Sequence, residues 1–522
     1  MTPGRVVIIL LLAVILGVPL TLRPERDARR PSTDENTLVV ITPHVPQIQE
    51  EFGKAFDRWH RREFGAPAFI DWRQPGGTSD ILKVLEAHYQ AVAKAGGFSF
   101  DNPANPAALP GACAYDAMLG GGSYEHTKLR LGVKVDGGRV VPMSVPADIP
   151  QADLDAWFGE NRIGAQTLYD PEHYWIGTAL SGFGIVYNRD ILKRLGVPEP
   201  RSFRDMADPR LAGWVTFADP RQSGSAGTSL DAILSREGWD AGWKLLREMC
   251  ANSRSFTNSS PKPPIDVSHG EAAMGLAIDF YGRGQAQAIA GNSTTDDRVG
   301  YVDPKGETYI DADPISILRG GPNPELARRF VRFCLSDEGQ ALWQFHATLT
   351  SRGATNPPGP DGRPMGPERH ELRRMPVRRS FYARFDRAMI DHVNPFELAS
   401  EARPAGWRSA ILLMMGAFAM DNARDLRAAW RALNEARTSG DAARLAEMER
   451  LFYAFPDTTL PEGAILAFTE GNYKAIAAAW RDPSFKTRCE IEYTAFFREN
   501  YRRVVALGKR GTPTAPQRVS GR

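Results

Sequence analysis

The chain has 522 residues, 42% of them hydrophobic and 24% charged, and a formal net charge of +2. That length exceeds what one compact core accommodates, so two or three domains are expected. The near-neutral balance excludes a protein built around nucleic-acid binding, and the most basic run, Arg369 to Arg379, reads as a solvated surface.

The N-terminus holds an uncharged run from Val6 to Leu22 behind a single Arg5. It is long for a signal-peptide core and just long enough to span a bilayer. Four arginines (Arg23, Arg26, Arg29, Arg30) follow it, which the positive-inside rule disfavours, but long domains translocate despite such charges. The expectation is export by a signal that stays as an anchor or is removed, with residues 24–36 as a tether.

From Thr37 a strand-then-helix rhythm begins. "TLVVIT" reads as a buried strand, and Ile48, Phe52, Ala55, Phe56 and Trp59 form a helical stripe after the turn "PHVP". "AFIDW" is a second strand, leading through "RQPGGTS" into a helix; residues 96–112 read as an inserted loop. "YDAMLGGGSYEH" gives a third strand, a Gly/Ser turn and a helix start. "GTALSGFGIVYN" (177–188) reads as two short strands, and "FADPRQSGSAGTSLDAIL" (217–234) as a strand end, a small-residue turn and a helix. "AAMGLAIDFYG" is a strand ending in an aromatic. Asn323 with Pro324, and Ser336, are placed as helix caps. Beyond about residue 380 strand-like segments vanish and helical spacing takes over; "AILLMMGAFAM" (410–420) reads as a core helix, too short for a membrane span.

Four cysteines, at 113, 250, 334 and 489, are too far apart for a zinc site. Cys250 and Cys334 continue apolar helical stripes and read as buried thiols, with three disulfide pairings left open.

Five turns of small residues precede helix starts: Thr42–Pro46, Arg73–Ser79, Gly120–Ser123, Asp219–Ser229 and Asn258–Ser260. Each helix start offers unpaired N–H groups and the positive end of a dipole. One such turn alone is ordinary capping; several at the carboxyl ends of strands make a ligand cleft. Phosphate loops, dinucleotide fingerprints, HExxH and a complete nucleophile elbow are missing from the sequence, and His44, His126 and His269 lack partners at catalytic or metal spacing. No enzyme is expected.

Residues 184–234, 270–282 ("GEAAMGLAIDFYG") and 311–343 together resemble the extracellular solute-binding proteins of ABC transporters, in the group related to ferric-ion-binding and organophosphate-binding proteins. The resemblance covers roughly residues 37–350. It implies an α/β, two-lobed periplasmic-binding-protein-like (type II) fold, here with an added all-helical C-terminal domain. Lobe 1 is expected over 37–145 and 300–350, lobe 2 over 146–299, and the helical extension over 351–522. Carried over by position, the resemblance implies ligand-facing roles for Gly121, Gly122, Ser123, Ser223, Ser225, Thr228, Asp279 and Tyr281; Thr42 and Ser259, in the small-residue turns, and Ser181 complete the expected ligand-binding set. Ferric-ion binders of the family place two adjacent tyrosines where this chain has Phe280–Tyr281.

The leading expectation is an exported solute-binding protein that captures a small anionic or oxygen-rich solute between its lobes and hands it to an ABC permease. Neither a resident cofactor nor a metal is expected, and nucleic acid is not a partner. The alternatives are a ferric-ion carrier with Tyr281 as an Fe(III) ligand, or a membrane-tethered sensor or scaffold that signals to a protein partner through its helical domain.

Overall fold

The computed structural model describes residues 36–102, 106–109, 111–291, 297–438 and 440–509, so the apolar run Val6–Leu22 and its tether lie outside the described residues. No helix among the described residues is long and apolar enough to cross a membrane.

The strand-then-helix rhythm folds as read. Strand β1 (Thr37–Ile41) leads to helix α1 (Pro46–Phe64), β2 (Phe69–Arg73) to α2 (Thr78–Lys94), and β3 (Ala117–Leu119) to α3 (Ser123–Leu131). Helix α1 buries the stripe Ile48, Phe52, Ala55, Phe56 and Trp59, and ends at Gly65, whose φ of 70° supplies the left-handed cap. Helix α4 (Gln151–Phe158) precedes the long strand β4 (Ile176–Asn188). Next come β5 (Val215–Ala218), α5 (Gly224–Glu237), α6 (Trp239–Ala251), β6 (Ser253–Thr257) and α7 (Lys262–Ser268). Then follow β7 (Met274–Ile278), α8 (Asp279–Ala290), β8 (Val299–Val302), β9 (Ile310–Leu318), α9 (Pro324–Leu335) and α10 (Asp337–Gln344). The main sheet runs β6-β5-β7-β4-β9-β3-β1-β2.

This order contains two lobes. β1 pairs in parallel with β2 and β3, and β5 in parallel with β6 and β7. Between these parallel blocks lie β4 and β9, antiparallel to each other. β4 is one continuous strand, not the two short ones expected. Its first half pairs with β9 and its second half with β7 and β8, so it passes from one lobe into the other. Gly184 marks a close approach there and not a turn: a Cβ on it would lie 2.2 Å from the carbonyl oxygen of Val302.

Lobe 1 packs α1, α9 and α10 on one face of its strands, and α2 and α3 on the other. Leu154, Phe158, Leu168 and Trp175 join that first core, so residues 154–175 pack with lobe 1 although the sequence reading gave them to lobe 2. Strand β8, expected in lobe 1, pairs with β4 and extends lobe 2.

The segment after residue 350 does more than extend the chain. Strand β10 (Met375–Pro376) adds to β4. The basic run 369–379 is not a solvated face, because Arg374 and Arg378 are buried, at 4% and 6% exposure. Further on lie a π-helix (Ile411–Met420), α11 (Ala423–Arg437), α12 (Ala442–Tyr453), α13 (Glu470–Ala479) and α14 (Pro483–Lys509). Their apolar stripes form one core with lobe 2: Trp243 and Leu246 of α6 sit among Phe418, Trp430, Phe452 and Phe497. All four cysteines are buried free thiols, and none of the three pairings forms. Ser336 caps α10 as read, accepting from the Gly339 N–H, whereas the Asn323 side chain donates to the Thr37 carbonyl and does not cap α9.

Arg247 of α6 fastens the helical layer. It is 1% exposed, donates to the carbonyls of Phe452 and Ala454, and its guanidinium lies 4.3 Å from the centroid of Phe455. Arg247→Ala strands those carbonyls and leaves a void, and is expected to cost about 2–4 kcal/mol in urea unfolding. Unchanged stability would show that the two layers are not one core.

Candidate functional site

The carboxyl ends of the strands meet in the groove between the lobes. At the end of β1, Thr42 is buried and its Oγ1 accepts from the His44 N–H, 3.1 Å away. Past β3, Gly120 (φ 96°) and Gly121 (φ 117°) hold left-handed backbone, and a Cβ on Gly120 would lie 2.6 Å from His44 Nε2. Gly122 then caps α3 with its backbone only, and Ser123 gives both its N–H and its hydroxyl to Asp311 Oδ2 (3.1 and 3.0 Å).

Lobe 2 contributes hydroxyls. Ser223 caps α5, accepting from the Ala226 N–H, so the plain capping account holds for it. It also belongs to a hydroxyl cluster: Ser223 Oγ lies 2.6 Å from Ser260 Oγ and 3.1 Å from Ser225 Oγ, and Ser225 lies 2.9 Å from Ser260. Ser259, the residue expected here, is exposed, and its carbonyl accepts from Thr257. Its neighbour Ser260 occupies the cluster, a one-residue difference set by how β6 turns into α7. Thr228 spends its hydroxyl on the Gly224 carbonyl, 3.1 Å away inside α5. Asp279 and Tyr281 were read as a strand end, but β7 stops at Ile278 and both lie in the first turn of α8.

The lobes touch through these helix starts. A Cβ on Gly224 of α5 would lie 3.1 Å from Thr78 Oγ1 of α2, and one on Gly121 would lie 3.0 Å from Thr78 Cγ2. The turns around Gly121, Gly122, Ser123 and Ser223–Ser225 therefore share one cleft, with Ser181 beside Arg374 and Tyr281 next in sequence to Phe280, on which Arg374 stacks.

Sequence reasoning missed the charges. Arg374 reaches into the cleft and pairs with Asp313 of β9; its Nη1 lies 2.8 Å from His44 Nε2, and its Nη2 donates to Ser181 Oγ. Its guanidinium sits 4.4 Å from the centroid of Phe280. His44 Nε2 is also 2.9 Å from Asp313 Oδ2, so the histidine has a partner 269 residues away in sequence. On the other side Arg408 pairs with buried Glu125 at 3.5 Å and lies 4.9 Å from the Tyr124 ring centroid. No local spacing signals these contacts, since Asp313 and Arg374 meet only after β9 and β10 have both paired with β4.

Burial opposes the charge on Asp313, but Arg374 and His44 outweigh it and hold its carboxyl below the usual range. Burial lowers His44, which favours the neutral ring. It lowers His126 to about 4, and that ring serves a structural role between Ser316 Oγ and the Gly120 carbonyl. Asp279 and Asp311 are each pushed up to about 7 by burial, against the pull of Arg283 on the first and the Ser123 donors on the second. Buried Asp279 Oδ1 and Oδ2, Asp313 Oδ1, His44 Nδ1 and Arg374 Nε have no hydrogen-bond partner among the described residues. No group of three or more His, Cys, Asp or Glu among the described residues could hold a metal ion. The space beside Ser225, Ser260 and Phe183 is about 10 Å³, at the lower limit for one water molecule.

Two α/β lobes joined by two crossing strands, with helix starts from both facing one cleft, make a two-lobed, type II periplasmic-binding-protein-like fold. Residues 149–362 match the model of the bacterial extracellular solute-binding protein family, which covers that part of the chain. It is 33% identical over 162 residues to an uncharacterized protein of Haemophilus influenzae, covering 31% of this chain and 44% of that one. It is 25% identical over 167 residues to the phosphoglycerate transport regulatory protein PgtC of Salmonella typhimurium, covering 32% and 40%. The chain thus spans less than half the length of these curated relatives. Among solved structures, iron-bound HitA from Pseudomonas aeruginosa superposes with a TM-score of 0.47 at 17% identity, covering 72% of this chain and 97% of that one.

A carboxyl that holds its proton longer in the folded state adds stability that is complete below the unfolded value, 3.8 for aspartate, and is lost as pH rises through the folded value, about 7. Asp279 and Asp311 therefore contribute a fall in Tm as pH rises from about 4 to about 7, which His126, neutral down to about 4 in the folded state, partly offsets below pH 6.5. Asp279→Asn should flatten that fall in scanning calorimetry; the same slope as wild type would show that Asp279 carries no buried charge penalty.

Proposed function

We propose that this chain is an extracytoplasmic solute-binding component of an ABC importer, and that it takes a small solute bearing both an anionic group and hydroxyls. The observation that carries the reading is the mixed character of one cleft. The starts of α2, α3 and α5 and the Ser223–Ser225–Ser260 cluster offer donors suited to an anion. Asp313 offers a carboxylate oxygen without a hydrogen-bond partner, suited to a hydroxyl. The family match over 149–362 supports the binding role, and the name of the Salmonella relative fits an anionic, hydroxylated solute. Closing the lobes would shield these groups from water, so each hydrogen bond to the solute counts. A permease would receive the solute when the hinge at β4 and β9 reopens.

Calorimetry with 3-phosphoglycerate and with other phosphorylated or carboxylated hydroxy compounds tests this. Ser225→Ala and Ser260→Ala should each weaken binding by roughly 1–3 kcal/mol. Ser259→Ala should not, because that side chain is outside the cluster. The absence of binding to any such probe, or affinities indifferent to both cluster variants, overturns the reading. Loading with ferric citrate should give no visible phenolate-to-iron band, because the neighbour of Tyr281 is Phe280, whose ring carries Arg374. A band abolished by Tyr281→Phe would turn the assignment to iron.

A further inference from the structure

The family match ends at residue 362, yet the two arginines in the cleft come from beyond it. The segment that carries them crosses between the lobes. Glu371 accepts from Gln287 of α8 in lobe 2 and lies 2.8 Å from His346 beyond α10 of lobe 1. Arg373 donates to Gln287 Oε1 at 3.0 Å and pairs with Asp391. Next in sequence, Arg374 joins His44 of lobe 1 and Ser181 and Asp313 of the crossing strands, and stacks on Phe280 of lobe 2. The chain then returns over lobe 1, and Ser400 donates to the Thr308 carbonyl. It reaches lobe 2 again where the Trp407 N–H meets Asp231 Oδ1 of α5 at 3.1 Å. From that anchor Arg408 extends back to Glu125 and Tyr124 of lobe 1.

We infer that residues 371–408 form an internal latch, in which Arg374 and Arg408 hold the two lobes together through the protein's own side chains. Hinge opening about β4 and β9 separates Phe280 from His44 and Arg408 from Glu125, so it must break the stacking and the ion pair. The cost is raised by burial. Asp313 is 1% exposed and Glu125 7% exposed in their side chains, and withdrawing a guanidinium leaves each carboxylate without its cation. The space beside Ser225 and Ser260 is about 10 Å³, which is too small for a solute larger than one water. The latch does not depend on the solute's identity and stands or falls apart from the proposed function.

The test is an interlobe distance measured by double electron–electron resonance on the full chain in solute-free buffer. Spin labels are attached through K83C on lobe 1 and K193C on lobe 2, both exposed positions, while the four native cysteines are buried. The expected result is one narrow distance distribution without added solute, which broadens to longer distances in Arg374→Ala and in Arg408→Gln. If Arg374→Ala does not fold, Arg408→Gln decides, since that side chain is 19% exposed and near the rim. A broad distribution already present without the substitutions overturns the latch, and so does a narrow one that survives Arg408→Gln.

Discussion

The ion pair between Arg374 and Asp313 is the contact on which the rest of the cleft depends. Asp313 stands on the strand that carries the chain from one lobe to the other, one position before the register shift at Pro314. With Arg374 beside it, the carboxylate stays charged despite complete burial. His44 is held against both, and the glycine turn after β3 fits against the His44 ring because Gly120 has no Cβ. Removing the guanidinium would leave a buried charge facing a neutral imidazole, and neither the turn nor the histidine would have a fixed position. Ser181 and Phe280 then complete a ring of contacts that involves both lobes and both crossing strands.

Around that pair, chemistry of opposite sign is brought within one groove. Backbone amides and hydroxyls are gathered where helices begin, a consequence of parallel strands that each deliver a helix at the same end of the sheet. Carboxylates are gathered because Asp311 and Asp313 project from β9 into the same groove: the first meets Ser123, the second Arg374. An anion alone would exploit only half of these groups. A solute with an anionic end and hydroxyls satisfies both halves.

Much of the scaffold was legible in the sequence, and the reason is local. "TLVVI", the stripe of α1 and the Ser336 cap follow from side-chain periodicity and capping chemistry, which act within one element. The helix starts at Gly122 and Ser223 were visible for the same reason. What failed was non-local. β4 is a single strand because its two halves find partners in different lobes, and no feature of 177–188 announces those partners. Arg374 looked like a member of a solvated basic run, and Arg408 belonged to no pattern; the partners of both are far away in sequence. Ser259 and Ser260 are equivalent as letters, and only the turn after β6 separates the exposed hydroxyl from the clustered one. The helical region likewise read as a separate domain, because a stripe such as Leu426, Trp430 and Leu433 reveals that it is buried but not that α6 of lobe 2 lies beneath it.

The most direct test of the account is hydrogen–deuterium exchange of the full chain with and without saturating 3-phosphoglycerate. The account predicts joint protection of amides in residues 120–126 of lobe 1 and 223–229 and 259–262 of lobe 2. Protection confined to one lobe, or to the helical residues 405–412 and 473–486, would contradict it.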